Sequence, residues 1–89
     1  MRVRIRVFGL VQGVGYRHYV KQLADSYGLK GWVRNMEDGS VEVLLDGKEE
    51  DVNFAVEMCR RGPSSASVER FEAEFEEDAA ALREFDIVF

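Results

Sequence analysis

Residues 2–17 read Arg2-Val-Arg-Ile-Arg-Val-Phe-Gly-Leu-Val-Gln-Gly-Val-Gly-Tyr-Arg17. Up to Phe8, branched apolar residues alternate with arginines, which predicts a half-buried strand. The glycines that follow let the backbone curl over Gln12–Gly15, and a helix is predicted to start at Tyr16. A curled turn before a helix N-terminus points consecutive backbone N–H groups at one position. The planar guanidinium group of an arginine adds N–H donors whose spacing matches two phosphate oxygens. The stretch therefore predicts a strand, an anion-binding turn and a helix.

The rest of the chain predicts one more helix and four more strands. The first helix covers Tyr16–Tyr27, where apolar residues recur at helical spacing, and Gly28 is suited to close it. A second helix begins at Glu49, with acids at its positive end, and stops at Gly62. A tight turn over Glu37–Gly39 separates the next two strands. The four strands are Leu29–Asn35, Val41–Asp46, Val68–Glu76 and a short C-terminal strand over Phe85–Phe89.

The fourth strand has an irregular start. Phe71, Ala73 and Phe75 alternate with glutamates and are expected to point inward. Val68 is out of step with Phe71, which predicts either a β-bulge or a late strand start near Glu69.

The order of elements predicts an α+β fold. A β-α-β-β-α-β chain with right-handed crossovers gives a ferredoxin-like sandwich: an antiparallel sheet with both helices on one face. A short fifth C-terminal strand is added to it. In this arrangement the first strand lies between the third and the fourth.

Size and composition limit the class of protein. A chain of 89 residues predicts a single domain over residues 1–89 with one small core. With 46% apolar and 33% charged residues, the composition excludes the disordered and membrane-spanning classes. No apolar run reaches the roughly 18 residues of a membrane span, no signal peptide is recognisable, and one cysteine excludes an internal disulfide. These features favour a cytoplasmic protein without membrane association.

Charge is unevenly distributed along the chain. Residues 1–35 hold seven Lys or Arg and one acid, whereas residues 36–89 hold five Lys or Arg and sixteen acids. Pairing between strands accounts for this pattern, because Arg2, Arg4 and Arg6 are expected to face acids on both neighbouring strands. Attraction of an anionic ligand accounts for it as well, and the two interpretations are compatible.

Arg17 and Asn35 are the candidate functional residues. A positive charge at a helix N-terminus is slightly unfavourable, so Arg17 indicates an anionic partner as readily as a solvated surface charge. Asn35 ends the second strand, which is expected to run parallel to the first, so both segments reach the same end of the sheet. On the residues alone, Asn35 is equally well explained as a turn former beside the hairpin.

Two segments carry a resemblance to a known family. Residues 9–17 match Gly-x-Val-Gln-Gly-Val-x-aromatic-Arg, and residues 28–42 match Gly-x-x-Gly-Trp-Val-x-Asn-x-x-Asp-Gly-x-Val-Glu. In these motifs, their spacing and the length of the chain, the sequence resembles the acylphosphatase family. The departures are small: Tyr16 stands where the family commonly has Phe, and Gly15 occupies a variable position. The extra hydroxyl of Tyr16 needs a hydrogen-bond partner if it is buried.

The resemblance implies a hydrolase that cleaves acyl phosphates to a carboxylate and inorganic phosphate. It assigns Arg17 to binding of the phosphoryl group, together with backbone amides of the turn at Gly13, Val14, Gly15 and Tyr16. It assigns Asn35 to orientation of the attacking water. The chemistry is consistent with these roles, because a carboxylate leaving group needs no general acid and the remaining task is charge neutralisation and positioning.

No metal or cofactor is expected. The sequence has no cluster of His, Cys and Asp with ligand spacing, and no Walker lysine or Gly-x-Ser-x-Gly motif. His18 is interpreted as a surface histidine and Cys59 as a small core residue. Trp32 is interpreted as packing near Asn35, and the acidic run at 76–78 as a solvated loop.

Two other functions are considered. A non-catalytic phosphate-binding regulatory module would keep the turn but not turn over substrate. An RNA-binding domain of the same topology needs exposed aromatic residues on the central strands, where arginine, glutamate, leucine and aspartate are expected instead. The predicted partner is therefore a small acyl phosphate and not a nucleic acid, and the chain is expected to be a monomer.

Overall fold

The structure, a computed structural model, describes residues 1–77 and 80–89. Asp78, the last residue of the predicted acidic loop, lies outside the described residues. The elements are β1 (Arg2–Leu10), α1 (Tyr16–Ser26), β2 (Lys30–Asn35), β3 (Val41–Asp46), α2 (Glu49–Arg61), β4 (Ser67–Glu76) and β5 (Phe85–Val88). Each predicted element is present, with ends that differ by at most two residues. Neither α1 nor α2 has the length and apolar character needed to cross a bilayer.

The sheet is mixed. Its strand order is β4-β1-β3-β2-β5, with β1 between β3 and β4 as predicted. The first four strands pair antiparallel, as predicted, whereas the added β5 pairs parallel with β2, so the complete sheet is mixed and not purely antiparallel. The reason is directional: β4 ends at Glu76 opposite Arg2, at the end of the sheet where β2 begins. A strand that starts there and pairs with β2 must run the same way.

One hydrophobic core lies between the helices and the inner face of the sheet. Val3, Ile5 and Val7 of β1 are buried in it, which confirms their predicted face. The helices add Tyr16, Val20 and Ala24 from α1 and Val52, Ala55 and Cys59 from α2. Each large apolar side chain buried in this way contributes about 1.5–3 kcal/mol to stability.

The inner face of β4 is only partly covered. Phe71 packs against the core, but Ala73 is exposed and Phe75 keeps 70% of its surface accessible. Alternation correctly gave the register of this edge strand, but it overestimated how much of the strand the core covers.

The outer face of the sheet carries paired charges. Glu42 is buried and accepts hydrogen bonds from Arg34 at 2.7 Å and from Arg6 at 3.2 Å, and Arg4 lies 3.4 Å away. Burial raises the pKa of the Glu42 carboxyl, but the arginines outweigh it and hold the pKa below its ordinary value. Arg4 also bonds Glu76 across the β1–β4 pair at 2.7 Å. Pairing between strands is therefore confirmed as one cause of the uneven charge.

The β1–β4 pair contains a β-bulge near the end of β1, just before the turn that leads to α1. Phe8 pairs with Arg70 and Gly9 with Val68, so Glu69 is the extra residue, which is one of the two predicted irregularities. Gly9 has φ 125°, and a Cβ on it would overlap the carbonyl oxygen of Ser67. Glycine is therefore required where the two strands approach here.

Candidate active site

The turn between β1 and α1 has the curled backbone that the sequence predicts. Gly13 and Gly15 both take left-handed conformations, with φ of 75° and 80°. Gly15 is the N-cap of α1 and offers no side-chain cap, and the first turn of this helix holds no acid. The positive end of α1 thus has neither of the protein groups that commonly neutralise it.

Arg17 lies in the first turn of α1 and is half-buried. It lines a cavity of about 240 Å³ together with the turn glycines, Tyr16 and two residues of the C-terminal segment, Ile87 and Phe89. The guanidinium carbon of Arg17 is 5.0 Å from the centre of the Phe89 ring. Val14 belongs to the same turn, and its carbonyl accepts a hydrogen bond from the Ser65 hydroxyl at 2.7 Å.

Asn35 is the last residue of β2, and its side chain is exposed. It lines a second cavity with Arg34, the following hairpin and two residues of the C-terminal segment, Val88 and Phe89. β1 and β2 run parallel on either side of β3, so the turn after β1 and the hairpin after β2 leave the sheet at the same end. Phe89 borders both cavities.

Gln12 joins the two segments directly. Its side-chain amide donates to the carbonyl oxygens of Met36 at 2.8 Å and Ser40 at 2.9 Å, which frame the hairpin after Asn35. The sequence analysis placed Gln12 in the turn but gave it no role of its own. The available signal was a polar side chain inside the first motif, between Val11 and Gly13.

Comparison with known proteins assigns the family. The family model for acylphosphatase matches residues 3–87. The chain belongs to the acylphosphatase family. This confirms the resemblance read from the two motifs, and with it the predicted enzyme class, a hydrolase of acyl phosphates.

Individual acylphosphatases are similar over nearly the whole chain. One from Mesorhizobium japonicum is 48% identical over 86 residues, which cover 97% of this chain and 92% of that protein. One from Rhodopseudomonas palustris is 46% identical over 82 residues, covering 91% and 83%. The crystal structure of acylphosphatase from Bacillus subtilis superposes with a TM-score of 0.94 at 36% identity and covers 99% of this chain and 98% of that one. The ferredoxin-like fold predicted for this acylphosphatase family member is thereby confirmed.

The Tyr16 hydroxyl has a partner inside the core. It donates to the carbonyl oxygen of Cys59 at 2.6 Å, which ties α1 to the last turn of α2. Burial raises the pKa of Tyr16 far above its ordinary value, so the phenol stays neutral. Burial also raises the pKa of the Cys59 thiol to about 12, which leaves little thiolate and agrees with its assignment as a core residue.

Two residues outside the catalytic assignment, His18 and Trp32, lie at or near the site region. His18 is exposed, as expected, but it lines the same cavity as Arg17. Trp32 is half-buried on the outer face of the sheet, where the guanidinium carbons of Arg34 and Arg4 lie 4.8 Å and 5.4 Å from its ring centre. The outer face therefore carries at least two aromatic residues, Trp32 of β2 and Phe8 of β1, which the sequence analysis did not place there.

Proposed function

We propose that Arg17 and the backbone N–H groups from Gly13 to Arg17 bind the phosphoryl group of an acyl phosphate, while Asn35 orients the water that attacks it. The observation that carries this proposal is the turn itself: two left-handed glycines lead into a helix start without cap or acid, beside an arginine. Gln12 connects this turn to the segment that carries Asn35.

The bond changes are those of a hydrolysis. The water oxygen forms a bond to phosphorus, and the bond from phosphorus to the bridging acyl oxygen breaks. The electron pair of that bond leaves with the carboxylate, which is weakly basic and needs no proton from the protein. The products are a carboxylate and inorganic phosphate.

Arg17 and the helix start supply charge stabilisation. A guanidinium offers donors in a planar fork, and the N-terminus of a helix adds partial positive charge at the oxygens of the phosphoryl group. The backbone of the helix start is fixed by the fold before the substrate arrives, so its N–H groups need little reorganisation during the reaction.

Asn35 contributes position and not basicity. A carboxamide stays neutral, so it can accept a hydrogen bond from water and hold its oxygen toward phosphorus, but it does not remove a proton. The proton released by the water passes to an oxygen of the substrate's own phosphoryl group.

The proposed reaction needs no metal ion. Among the described residues, no group of three or more His, Cys, Asp or Glu side chains is arranged to hold one. We expect the purified chain to hydrolyse benzoyl phosphate at the same rate with and without excess EDTA, because Arg17 and backbone amides take over the charge neutralisation that a metal supplies in other phosphoryl-transfer enzymes. Steady-state kinetics with each form measure this directly.

A phosphomonoester such as p-nitrophenyl phosphate serves as the control substrate in that assay. Its leaving group is more basic, and no acid in the proposed site protonates it, so turnover should be negligible. Comparable rates on both substrates would contradict the proposed mechanism, and loss of benzoyl phosphate hydrolysis in EDTA would contradict its metal independence.

We further propose that residues 1–89 act as a single cytoplasmic domain and a monomer. The sheet has two edge strands, β4 and the short β5, and along β4 Glu72, Glu74 and Glu76 occupy every second position. Like charges on such an edge oppose its pairing with the same edge of a second copy. Light scattering of the purified chain should give the mass of one copy, 10.2 kDa.

A further inference from the structure

Phe89 is an exposed aromatic residue at the centre of the proposed site. It follows β5, and its side chain is almost fully accessible to solvent. It borders the cavity that contains Arg17 and the turn glycines, and also the cavity that contains Asn35. A substrate held by Arg17 and attacked by a water at Asn35 therefore lies beside this ring.

The contact between Phe89 and Arg17 leaves the arginine able to bind a phosphoryl group. The guanidinium carbon lies 5.0 Å from the ring centre, within the range of a cation–π interaction. A guanidinium can contact a ring through its face while its N–H donors point outward in its own plane. The ring and the phosphoryl oxygens can thus use different parts of one side chain.

The two parts of an acyl phosphate make opposite demands on their surroundings. The phosphoryl group is anionic and requires N–H donors, which the turn and Arg17 provide. The acyl group carries the apolar surface of the molecule, and an aromatic ring has no donor to offer the phosphoryl oxygens. The ring of Phe89 therefore suits the acyl group, with Ile87 and Val88 adding apolar surface on the same segment.

We propose that Phe89 is a specificity residue that contacts the acyl group and makes the site favour acyl phosphates with an apolar, above all aromatic, acyl group. This inference rests on the proposed function, because it takes the phosphoryl group to be bound at Arg17. It adds the substrate class that the site prefers.

The test compares benzoyl phosphate with acetyl phosphate in the wild type and in Phe89→Ala. We expect kcat/KM for benzoyl phosphate to fall about fivefold to tenfold, mainly through KM, because an aromatic contact is lost. For acetyl phosphate the change should stay within about twofold, since its methyl group offers little surface to the ring. Inhibition by inorganic phosphate should be unchanged, because phosphate has no acyl group.

Two further variants sharpen the test. Phe89→Leu retains apolar surface and removes the ring, so it should recover part of the benzoyl phosphate activity and leave acetyl phosphate hydrolysis as in the wild type. Phe75→Ala is the matched control, because Phe75 is also an exposed phenylalanine but lies on β4, outside both cavities. It should leave both substrates unaffected.

Different results would contradict the specificity role of Phe89 and the proposed hydrolysis of acyl phosphates. If Phe89→Ala lowers activity on both substrates equally and weakens phosphate inhibition, the ring acts through Arg17 and the specificity proposal is wrong. If Phe89→Ala changes neither substrate, the ring does not meet the acyl group and the proposal is again wrong. In both cases the wild type still hydrolyses acyl phosphates, whereas a wild type inactive on both substrates would overturn the proposed function itself.

Discussion

Arg17→Gln is expected to abolish phosphate binding and turnover together. Glutamine retains a polar side chain but loses the positive charge and the planar fork, which supply strong, charge-assisted hydrogen bonds to phosphoryl oxygens. Arginines that stabilise phosphoryl transfer are worth about 10³ or more in rate, so kcat/KM for benzoyl phosphate should fall by about that factor. Steady-state kinetics measure turnover, and competitive inhibition by inorganic phosphate measures binding.

The stability of Arg17→Gln separates a functional role from a structural one. Arg17 stands at the positive end of α1, where a cation is slightly unfavourable, so its removal should leave the midpoint of thermal unfolding unchanged or slightly higher. An inactive variant with a much lower midpoint would indicate a structural role. Substantial hydrolysis by a well-folded Arg17→Gln would contradict the assignment outright.

Arg61→Gln is the matched control for this prediction. Arg61 is an exposed arginine in the last turn of α2, outside the cavities that contain Arg17 and Asn35. The substitution removes the same charge from the same small protein. Activity should therefore stay near that of the wild type, which would exclude the loss of one positive charge in itself as the cause of any effect at Arg17.

The fold was largely predictable because most of its determinants are local. Alternation in β1 placed Val3, Ile5 and Val7 in the core, and helical spacing located α1 to within one residue of its end. The irregularity near Glu69 was also predictable, because a break in the alternation of apolar residues indicates either an extra residue or a late strand start, and the structure shows the extra residue. These signals depend only on which neighbours along the chain share a face.

Features that depend on contacts between distant parts of the chain could not be predicted from local sequence patterns. The Tyr16 hydroxyl bonds a carbonyl 43 residues away, and a backbone carbonyl leaves no trace in the amino-acid pattern. The direction of β5 depends on which edge of the sheet it reaches, and its short apolar pattern carries no information about that. The exposure of Phe75 likewise depends on how far the core extends over an edge strand.

The candidate site falls between these two cases. Arg17 and the turn glycines are neighbours in sequence, so the anion-binding turn was visible as a motif. The part played by Gln12 was not, since its partners Met36 and Ser40 belong to another hairpin. Phe89 was predicted only as part of the C-terminal strand, because the apolar pattern is the same whether such a residue packs in a core or borders a cavity.

Asn35→Ala should affect catalysis in a different way from Arg17→Gln. The methyl side chain no longer holds the attacking water, so kcat for benzoyl phosphate is expected to fall by about 10², as for loss of one well-placed polar group. The phosphoryl group keeps its contacts with Arg17 and the turn amides. Inhibition by inorganic phosphate should therefore change by less than about threefold, a difference small beside the loss in kcat.

Two further variants are compared with Asn35→Ala: Asn53→Ala is a control, and Gln12→Ala tests the positioning of the hairpin that follows Asn35. Asn53 is an exposed asparagine on α2, far along the chain from both proposed catalytic residues, and its substitution should leave kinetics unchanged. Gln12→Ala keeps the Asn35 carboxamide but removes the two hydrogen bonds that tie the turn to the hairpin. Its loss of kcat should be smaller, about tenfold, because the water-binding group is still present but less firmly positioned.

The ratio between these effects tests whether Asn35 acts by holding water. If Asn35 served only as a turn former beside the hairpin, Asn35→Ala would lower stability and change kcat no more than Gln12→Ala does. If it took part in phosphoryl binding, KM and phosphate inhibition would weaken along with kcat. A large loss in kcat, with phosphate inhibition and the unfolding midpoint preserved, follows only from a neutral side chain that positions the nucleophile.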